Sequence, residues 1–266
     1  MCAVLGVTPA GFYASRSRPA SVRSLQDERL REQIDIVYQK SHRLYGSPRV
    51  TCQLRCEGVA AGRRRVARLM RHQRIQGRSA RIYRRSRVRQ KAFFKRFPNI
   101  ARHVNLTRLN QVWVADVTYI RVRGLWRYLA VVMDKYSRRV LGWSLSRHRT
   151  SALTRRALAN ALRGRKPPAG VIFHSDRGIE YAAHDFGRAL TANGFLQSMN
   201  RPHHMNDNAH MESFFHSLKS ERLYGLTFTT DAELRRELSR YISFYNRVRL
   251  HSSLDHRSPM TFEAAI

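Results

Sequence analysis

Residues 112–121 read VWVADVTYIR and decide the fold of the larger part of the chain. β-branched and aromatic residues dominate this stretch, which is apolar on both faces, as is typical of a central strand buried on two sides. One carboxylate, Asp116, interrupts the apolar run, although an unpaired carboxylate is costly to bury. The stretch therefore predicts a central strand, and Asp116 is either a functional group or a hydrogen-bonded structural acid.

Apolar periodicity predicts a series of strands and helices after this strand. The predicted strands cover residues 127–133, 139–145, 170–173 and 195–199. The predicted helices cover residues 150–162, 183–192, 207–223 and 232–247. Three strands followed by alternating helices and strands are typical of an α/β domain with a mixed sheet. Asp134 lies between the second and third strands, where we expect it to cap a turn.

The first third of the chain is predicted to be helical, over residues 28–39, 47–58 and 63–73. The second of these helices should begin with Ser47 as its N-cap and end at Gly58. Arg64, Arg68 and Arg71 share one face of the third helix, away from its apolar face. This pattern predicts a helix-turn-helix whose second helix enters the major groove of DNA. The alternative is a small helical bundle with a charged outer face.

The charge balance indicates a polyanionic partner. The chain carries 50 Lys and Arg against 18 Asp and Glu, a formal net charge of +32. This excess disfavours an ordinary enzyme of small metabolites, and the 42% hydrophobic content disfavours a disordered basic tail. Residues 58–115 contain no acid but 17 Lys or Arg, and within them residues 78–109 form a predicted basic linker. We therefore expect a folded protein that binds nucleic acid.

Cysteine usage and the apolar runs indicate an intracellular protein. Three cysteines, an odd number, do not suggest a disulfide framework. Cys52 and Cys56 could bind zinc with His42 and His72, but their spacing fits no standard zinc finger. No apolar run approaches the roughly 18 residues of a membrane span. We expect a soluble, cytoplasmic protein with no membrane partner.

Three acids are the candidates for chemistry. Asp116 lies within the first strand, Asp176 follows a strand at its carboxyl end, and Glu212 lies about one turn into a helix. Sites in α/β sheets usually lie at the carboxyl ends of strands. Glu180 and Asp207 are close in sequence to these acids and remain rival ligands.

Eight segments of the sequence together resemble a known family. They are YGSPRVTCQLRCEGV, RRVARLM, WVADVTYI, YLAVVMDKYSRRVLGW, FHSDRGIEY, SMNRP, MNDNAHMESFFHSLKSE and YISFYNRVRLHSSLDHRSP. In this order they are similar to the transposases of bacterial insertion sequence family three. That family's second reading frame, OrfB, encodes a retroviral-integrase-like protein with a DDE catalytic core. The resemblance covers nearly the whole chain, and the combination of motifs is far more specific than any one of them.

The resemblance implies a fold and a set of site residues. It implies a ribonuclease-H-like integrase core with a mixed five-stranded sheet over residues 110–228, after a helix-turn-helix region at 1–77 and the linker at 78–109. A helical extension covers residues 229–266. The acidic triad of the family falls on Asp116, Asp176 and Glu212, and its basic residue seven positions after the Glu falls on Lys219.

The resemblance also implies an activity and its partners. The expected reaction is metal-dependent cleavage of insertion-element ends and transfer of the 3′-hydroxyl strand into DNA. The expected cofactors are two Mg²⁺ ions, which Mn²⁺ can replace. Three carboxylates can bind such ions through oxygen ligands, and the ions stabilise the charge on the entering and leaving oxygens of the reaction. Expected partners are the terminal repeats, target DNA, further copies of this chain and a protein from an upstream reading frame joined by frameshifting. The expected location is the bacterial nucleoid.

Two other functions remain open from the sequence. A non-catalytic DNA-binding regulator would not need the carboxylates, and a nuclease of the same fold would release fragments without joining them. Asn208, one turn before Glu212, is a candidate for positioning DNA or water. A zinc site of the histidines His203, His204, His210 and His216 is a further alternative. The family commonly has a glycine at the position of one of the first two, so the loop is expected to be stiffer here.

Overall fold

Two units make up the chain in the computed structural model, Met1–Arg78 and Ser79–Ile266. The structure describes residues 6–17, 19, 21–77, 97–202 and 204–266. Most of the predicted basic linker, residues 78–96, lies outside the described residues. The remainder of that stretch packs on the second unit, where Ala101 is buried in the core. No helix in these described ranges is both long and apolar enough to cross a lipid bilayer.

The described residues of the first unit form four helices: α1 (Pro9–Ser17), α2 (Val22–Lys40), α3 (Ser47–Cys56) and α4 (Arg63–His72). Helix α2 begins six residues before the predicted start, because the Ser21 side chain caps it by accepting from the Ser24 backbone N–H. The N-cap of α3 is Gly46 rather than the predicted Ser47, which is the first helical residue. The buried faces of α2, α3 and α4 form the core of the unit.

A mixed five-stranded sheet forms the centre of the second unit, which confirms the predicted fold class. Its strands are β1 (Val112–Val122), β2 (Leu125–Asp134), β3 (Val140–Ser146), β4 (Ile172–Ser175) and β5 (Leu196–Met199). The spatial order of the strands is β3-β2-β1-β4-β5. Strand β2 is antiparallel to both β1 and β3, whereas β4 is parallel to β1 and to β5. Strand β4 begins and ends two residues later than predicted, so Asp176 follows its end directly.

Helices cover both faces of the sheet. They are α5 (Ser151–Gly164), α6 (Ile179–Ala182), α7 (His184–Ala192), α8 (Ala209–Leu218), α9 (Asp231–Arg247) and α10 (Pro259–Ala264). One apolar core contains residues of α8 and α9, and the other contains residues of α5, α6 and α7. Gly142 allows close packing of α5 on β3, because a Cβ there would lie 2.3 Å from the Ala161 nitrogen.

The turn between β2 and β3 depends on a buried acid. The backbone N–H groups of Tyr136 and Ser137 donate to Asp134 Oδ1 at 2.9 and 3.0 Å, which confirms that Asp134 caps this turn. The Ser137 hydroxyl in turn donates to Glu263 of α10 at 2.6 Å. The last helix is thereby attached to the sheet.

The prediction of one continuous helix over residues 207–223 is wrong. The structure has a 3₁₀ turn (Met205–Asn208), then α8, then a π-helical turn (Lys219–Leu223). The Ser220 hydroxyl donates to the His216 carbonyl at 2.8 Å, which competes with regular helical bonding. The π turn directs Glu221 into the interior, where its side chain is 4% exposed.

A buried ion pair joins this π turn to the C-terminal segment. Arg249 donates from Nη2 to Glu221 Oε1 at 2.6 Å and from Nε to Oε2 at 2.8 Å. The Tyr241 hydroxyl donates to the same Oε2 at 2.8 Å. Arg249 Nη2 also donates to the Ser217 hydroxyl of α8 at 3.0 Å. The residues after α9 therefore hold the carboxyl end of α8 in place.

Arg249→Leu is expected to lower the free energy of unfolding by about 3–5 kcal/mol, because it leaves Glu221 buried without its ion partner. Urea unfolding followed by tryptophan fluorescence measures this change, since all three tryptophans lie in the second unit. Arg257→Leu is the matched control, because its partner Asp255 is 85% exposed; it should cost less than about 1 kcal/mol. Equal losses in the two variants would contradict a special role for the buried pair.

Candidate active site

Two of the three predicted acids lie on neighbouring parallel strands. Ala115 of β1 is paired with Ser175 of β4, so Asp116 and Asp176 are each the next residue along the chain. Neighbouring strands are about 4.8 Å apart, which places the two carboxylates at the same end of the sheet. Asp176 is oriented by the Gly178 backbone N–H, which donates to Asp176 Oδ1 at 3.0 Å. Asp116 Oδ1 accepts from the Val117 N–H at 2.7 Å.

Burial and a neighbouring acid disfavour the charged form of each of the two carboxylates. Burial, and next the charge of Asp176, raise the pKa of Asp116 well above its ordinary value. Burial, and next the charge of Glu180, raise the pKa of Asp176 to about 6. The nearby guanidinium of Arg149 acts in the opposite direction on both. Without a cation, this end of the sheet therefore concentrates more negative charge than its surroundings stabilise.

Arg149 lies between Asp176 and Glu180 and forms ion pairs with both. Arg149 Nη2 lies 2.7 Å from Glu180 Oε1 and 3.8 Å from Asp176 Oδ2. The Glu180 side chain is fully buried, and its Oε2 has no hydrogen-bond partner. The rival ligand Glu180 is thus the counterion of Arg149. Arg149 is not predictable from the sequence, since no local motif indicates that it pairs with a residue 31 positions away in the chain.

The second rival ligand, Asp207, is also bound elsewhere. Arg201 donates to both of its oxygens, from Nη2 at 2.8 Å and from Nε at 3.0 Å. The Asn99 amide donates to Asp207 Oδ2 at 2.7 Å. These hydrogen bonds, first of all those from Arg201, hold the pKa of Asp207 well below its ordinary value. Asp207 therefore stabilises the loop that leads into α8.

Asn208 attaches the start of α8 to the central strand. Its Nδ2 donates to the Ala115 carbonyl at 3.0 Å, directly before Asp116 in the chain. Its buried Oδ1 has no hydrogen-bond partner. Because of this bond, α8 begins next to Ala115, the residue that precedes Asp116 in β1.

Glu212 lies in the first turn of α8 and is exposed. Its neighbour Met211 packs into the core on the β1 face that also carries Val114. Side chains alternate along a strand, so Asp116 belongs to that same face. Partial desolvation by the surrounding chain raises the pKa of Glu212 although its side chain is exposed. The structure thus brings Asp116 and Asp176 together, whereas Glu212 is exposed on α8, and among the described residues the three acids do not form a metal-binding cluster.

No group of three His, Cys, Asp or Glu side chains with metal-binding geometry occurs in the part of the chain that the structure describes. His203, one member of the histidine alternative, lies outside the described residues. Burial lowers the pKa of His210 to about 4, with Arg138 and Lys135 nearby. Cys52 is half-buried and Cys56 exposed, both as free thiols.

The predicted DNA-binding arginines have different surroundings. Arg64 and Arg71 are exposed on α4. Arg68 Nη2 lies 2.5 Å from Asp27 Oδ2 of α2, and Arg65 Nε lies 2.6 Å from the other oxygen of Asp27. Asp27 thereby joins α2 to α4. Arg68 remains half exposed beside this ion pair.

Lys219, the predicted basic residue after α8, lies over an aromatic row. Its Nζ is 4.8 Å from the centre of the Tyr119 ring. Trp126 meets Tyr119 edge-on with 4.8 Å between ring centres, and Arg121 lies 4.4 Å above Trp126. Cations over aromatic faces are held in place by the ring quadrupole. The row links β1 and β2 to the carboxyl end of α8.

Comparison with protein families gives three matches along the chain. A family described as "HTH-like domain" matches residues 25–83, and two described as "Integrase core domain" match residues 107–205 and 212–265. The first integrase match contains Asp116 and Asp176, and the second begins at Glu212. The sheet of the second unit is therefore an integrase core of the ribonuclease-H-like type, as the sequence predicts.

Relatives of similar length include proteins of bacterial insertion sequences. The chain is 37% identical over 264 residues to "Insertion element IS600 uncharacterized 31 kDa protein" of Shigella sonnei, covering 98% of this chain and 97% of the relative. It is 35% identical over 268 residues to "Transposase InsF for insertion sequence IS3A" of Escherichia coli strain K12, covering 99% of this chain and 92% of that protein.

Among solved structures, the chain resembles a cryoEM structure of the simian T-cell lymphotropic virus intasome in complex with PP2A regulatory subunit B56 gamma. The TM-score is 0.50 at 15% identity, and the match covers 87% of this chain and 74% of that one. At this identity the likeness is one of fold.

Asp176→Asn is expected to stabilise the metal-free protein at neutral pH. The folded state keeps the Asp176 proton up to about pH 6, whereas an unfolded chain releases it near pH 3.9. The folded state therefore binds more protons in this window, and the free energy of unfolding falls as the pH rises from about 4 to 6. We expect a fall of roughly 1–2 kcal/mol after solvent screening, since the side chain is 36% exposed.

Urea unfolding in EDTA at pH 4, 5, 6 and 7 measures this effect as the difference between wild type and Asp176→Asn. Asp255→Asn is the control, because Asp255 is exposed; it should leave the pH dependence unchanged. A wild type and an Asp176→Asn variant with parallel pH profiles would contradict the raised pKa.

Proposed function

The chain belongs to the transposases of bacterial insertion sequence family three, and we propose that Asp116, Asp176 and Glu212 are its catalytic triad. It is thus a DDE-type DNA transposase, a polynucleotidyl transferase that moves an insertion element. The observation that carries the triad is the pairing of β1 with β4, which puts Asp116 beside Asp176 in an integrase core. Glu212 lies on the helix that Asn208 attaches to β1, and we take it as the third carboxylate of the triad.

The donor set fits hard divalent cations. The integrase core family uses divalent metal ions, and we propose two Mg²⁺ ions here, with Mn²⁺ as a substitute. Asp116 and Asp176 offer carboxylate oxygens, the ligands that Mg²⁺ prefers, and their raised pKa values mark a surplus of negative charge. Asp116 would be shared by both ions, while Asp176 and Glu212 would each complete one. When bound, the ions supply charge to the entering and leaving oxygens of the phosphodiester.

The protein's own residues orient the reactants. Arg149 keeps Asp176 and Glu180 in place through its ion pairs with both. Lys219, held against Tyr119, contacts a phosphate near the end of the DNA strand. Asn208 fixes the distance between the strand that bears Asp116 and the helix that bears Glu212. Each of these groups positions DNA or a carboxylate before bond cleavage.

The DNA partners are the terminal repeats of the element and the target DNA. The helix-turn-helix region binds the duplex through Arg64, Arg68 and Arg71, and several copies of this chain assemble on the element ends at the bacterial nucleoid. An upstream reading frame, joined by frameshifting, supplies a further DNA-binding segment.

Asp176→Asn is expected to abolish strand transfer. Labelled element-end DNA with Mg²⁺ or Mn²⁺ should yield joined products with the wild-type chain and none with the variant, because one carboxylate ligand is lost. Asp116→Asn and Glu212→Gln should behave alike. Asp255→Asn, an exposed acid, is the matched control and should retain activity.

Three outcomes of this assay would count against the proposal. Joining by Asp176→Asn would remove that residue from the active site. Cleavage by the wild type without joining, at ends of any sequence, would indicate the nuclease. A function in the host that survives the Asp116→Asn and Glu212→Gln substitutions would indicate the non-catalytic regulator.

Arg68→Ala is expected to lower the salt dependence of DNA binding. Losing one phosphate contact changes the slope of log K against log salt by about 0.9. Arg64→Ala, which leaves the ion pairs of Asp27 intact, should give a similar change without any loss of folding. Fluorescence anisotropy with an element-end duplex between 50 and 200 mM salt provides the measurement. A slope equal to that of the wild type would remove the substituted residue from the DNA footprint.

A further inference from the structure

A basic cleft of about 280 Å³ opens in the second unit, where β2 begins and β3 ends. Its charged and titratable lining consists of Arg127, Arg147, His148, Arg156, Arg235 and Asp231. Four guanidinium groups thus face a single carboxylate. These five groups carry a net charge of +3, a surplus that an anionic ligand would balance.

Three of the four arginines of the cleft, Arg127, Arg147 and Arg235, are bonded to other groups of the chain. Arg127, whose side chain is 9% exposed, donates from Nε to Asp231 Oδ1 at 2.5 Å. Arg147 lies 3.4 Å from the other oxygen of Asp231, and Arg235 donates to the Leu145 carbonyl at 3.0 Å. Each arginine uses only part of its five N–H donors in these bonds. The cleft therefore offers preorganised donors, which suit the oxygens of a phosphate group.

The cleft and the catalytic carboxylates lie at the same end of the sheet. Arg127 is paired with Ile120 of β1, four residues or about 13 Å beyond Asp116 along that strand. The loop after β3 connects the two places directly, because Arg147 lines the cleft while Arg149 contacts Asp176. Two residues span at most about 7 Å of backbone. A DNA strand with one phosphate at Asp176 would have another within reach of the cleft.

We propose that this cleft binds a backbone phosphate of the DNA, a few nucleotides from the phosphate that reacts. The inference rests on the proposed function, because it takes the reacting phosphate to lie at Asp116 and Asp176. The cleft fixes the direction in which the strand leaves the active site. A phosphate there also neutralises guanidinium charge that Asp231 leaves unbalanced.

The test compares Arg156→Ala with Arg155→Ala. Both residues lie on α5, but Arg156 lines the cleft while Arg155 faces Asp185, at 3.7 Å. Binding of an element-end duplex is measured in EDTA by fluorescence anisotropy, so that cleavage does not contribute. Arg156→Ala should reduce the salt slope by about 0.9, and Arg155→Ala should leave it unchanged. Arg147→Ala, at a 71% exposed position, should repeat the effect of Arg156→Ala.

Duplexes with one neutral methylphosphonate locate the contact. A methylphosphonate at one position near the reacting phosphate should weaken DNA binding by the wild-type protein. It should not weaken binding by the Arg156→Ala variant any further, since both changes remove the same contact. Equal slopes for Arg155→Ala, Arg156→Ala and Arg147→Ala, or fully additive methylphosphonate effects, would overturn the proposal. A third result would also overturn the proposal: inorganic phosphate raises the melting temperature of the wild type but not of Arg156→Ala, while both proteins bind DNA equally well. The ligand of the cleft would then be a free anion.

Failure of the cleft and failure of the proposed function give different results. If the wild-type protein joins DNA and the Arg156→Ala variant binds DNA as tightly as the wild type, only the proposal for the cleft is refuted. A methylphosphonate effect that depends on Arg156, in a wild type that joins no DNA, would instead refute the assigned reaction.

Discussion

The crowding of negative charge between Asp116 and Asp176 is the constraint on which the rest of the site depends. Parallel pairing of β1 with β4 places both carboxylates at one end of the sheet, and burial together with each acid's nearest negative neighbour raises their pKa values. Arg149 offsets part of this charge and is itself held by Glu180. A site built in this way is costly to the fold without a cation and becomes favourable when cations bind, which is the balance that a metal-dependent DNA-joining enzyme needs.

The surrounding structure holds the carboxylates against their repulsion. Before the amino end of α8, the Asn208 side chain donates a hydrogen bond to Ala115 of β1, and Asp207 accepts hydrogen bonds from Arg201. At the other end, the pair of Glu221 and Arg249 joins the π turn to the C-terminal segment. The segment after α9 thus stabilises the helix that carries Glu212, the proposed third carboxylate, although this segment lies far from the site in sequence.

Much of the fold follows from local patterns, whereas the site depends on contacts that sequence patterns do not contain. The apolar run at 112–121 predicts the central strand, because burial on both faces leaves a clear signature. The π turn within the helix predicted over 207–223 has no local apolar signature, and the pair it makes possible, Glu221 with Arg249, joins residues 28 positions apart. The pairing of Arg149 with Glu180 is equally non-local. Short helices such as Pro9–Ser17 and Pro259–Ala264 offer too few turns for a periodic signal.

The most direct measurement of the central claim is the position of Mn²⁺ in crystals of this protein bound to an element-end duplex, read from anomalous diffraction. The account predicts a peak coordinated by carboxylate oxygens of both Asp116 and Asp176, with Glu212 completing the site, and its loss in crystals of Asp116→Asn. Mn²⁺ bound at Glu180 or Asp207, with none at Asp116, would contradict it.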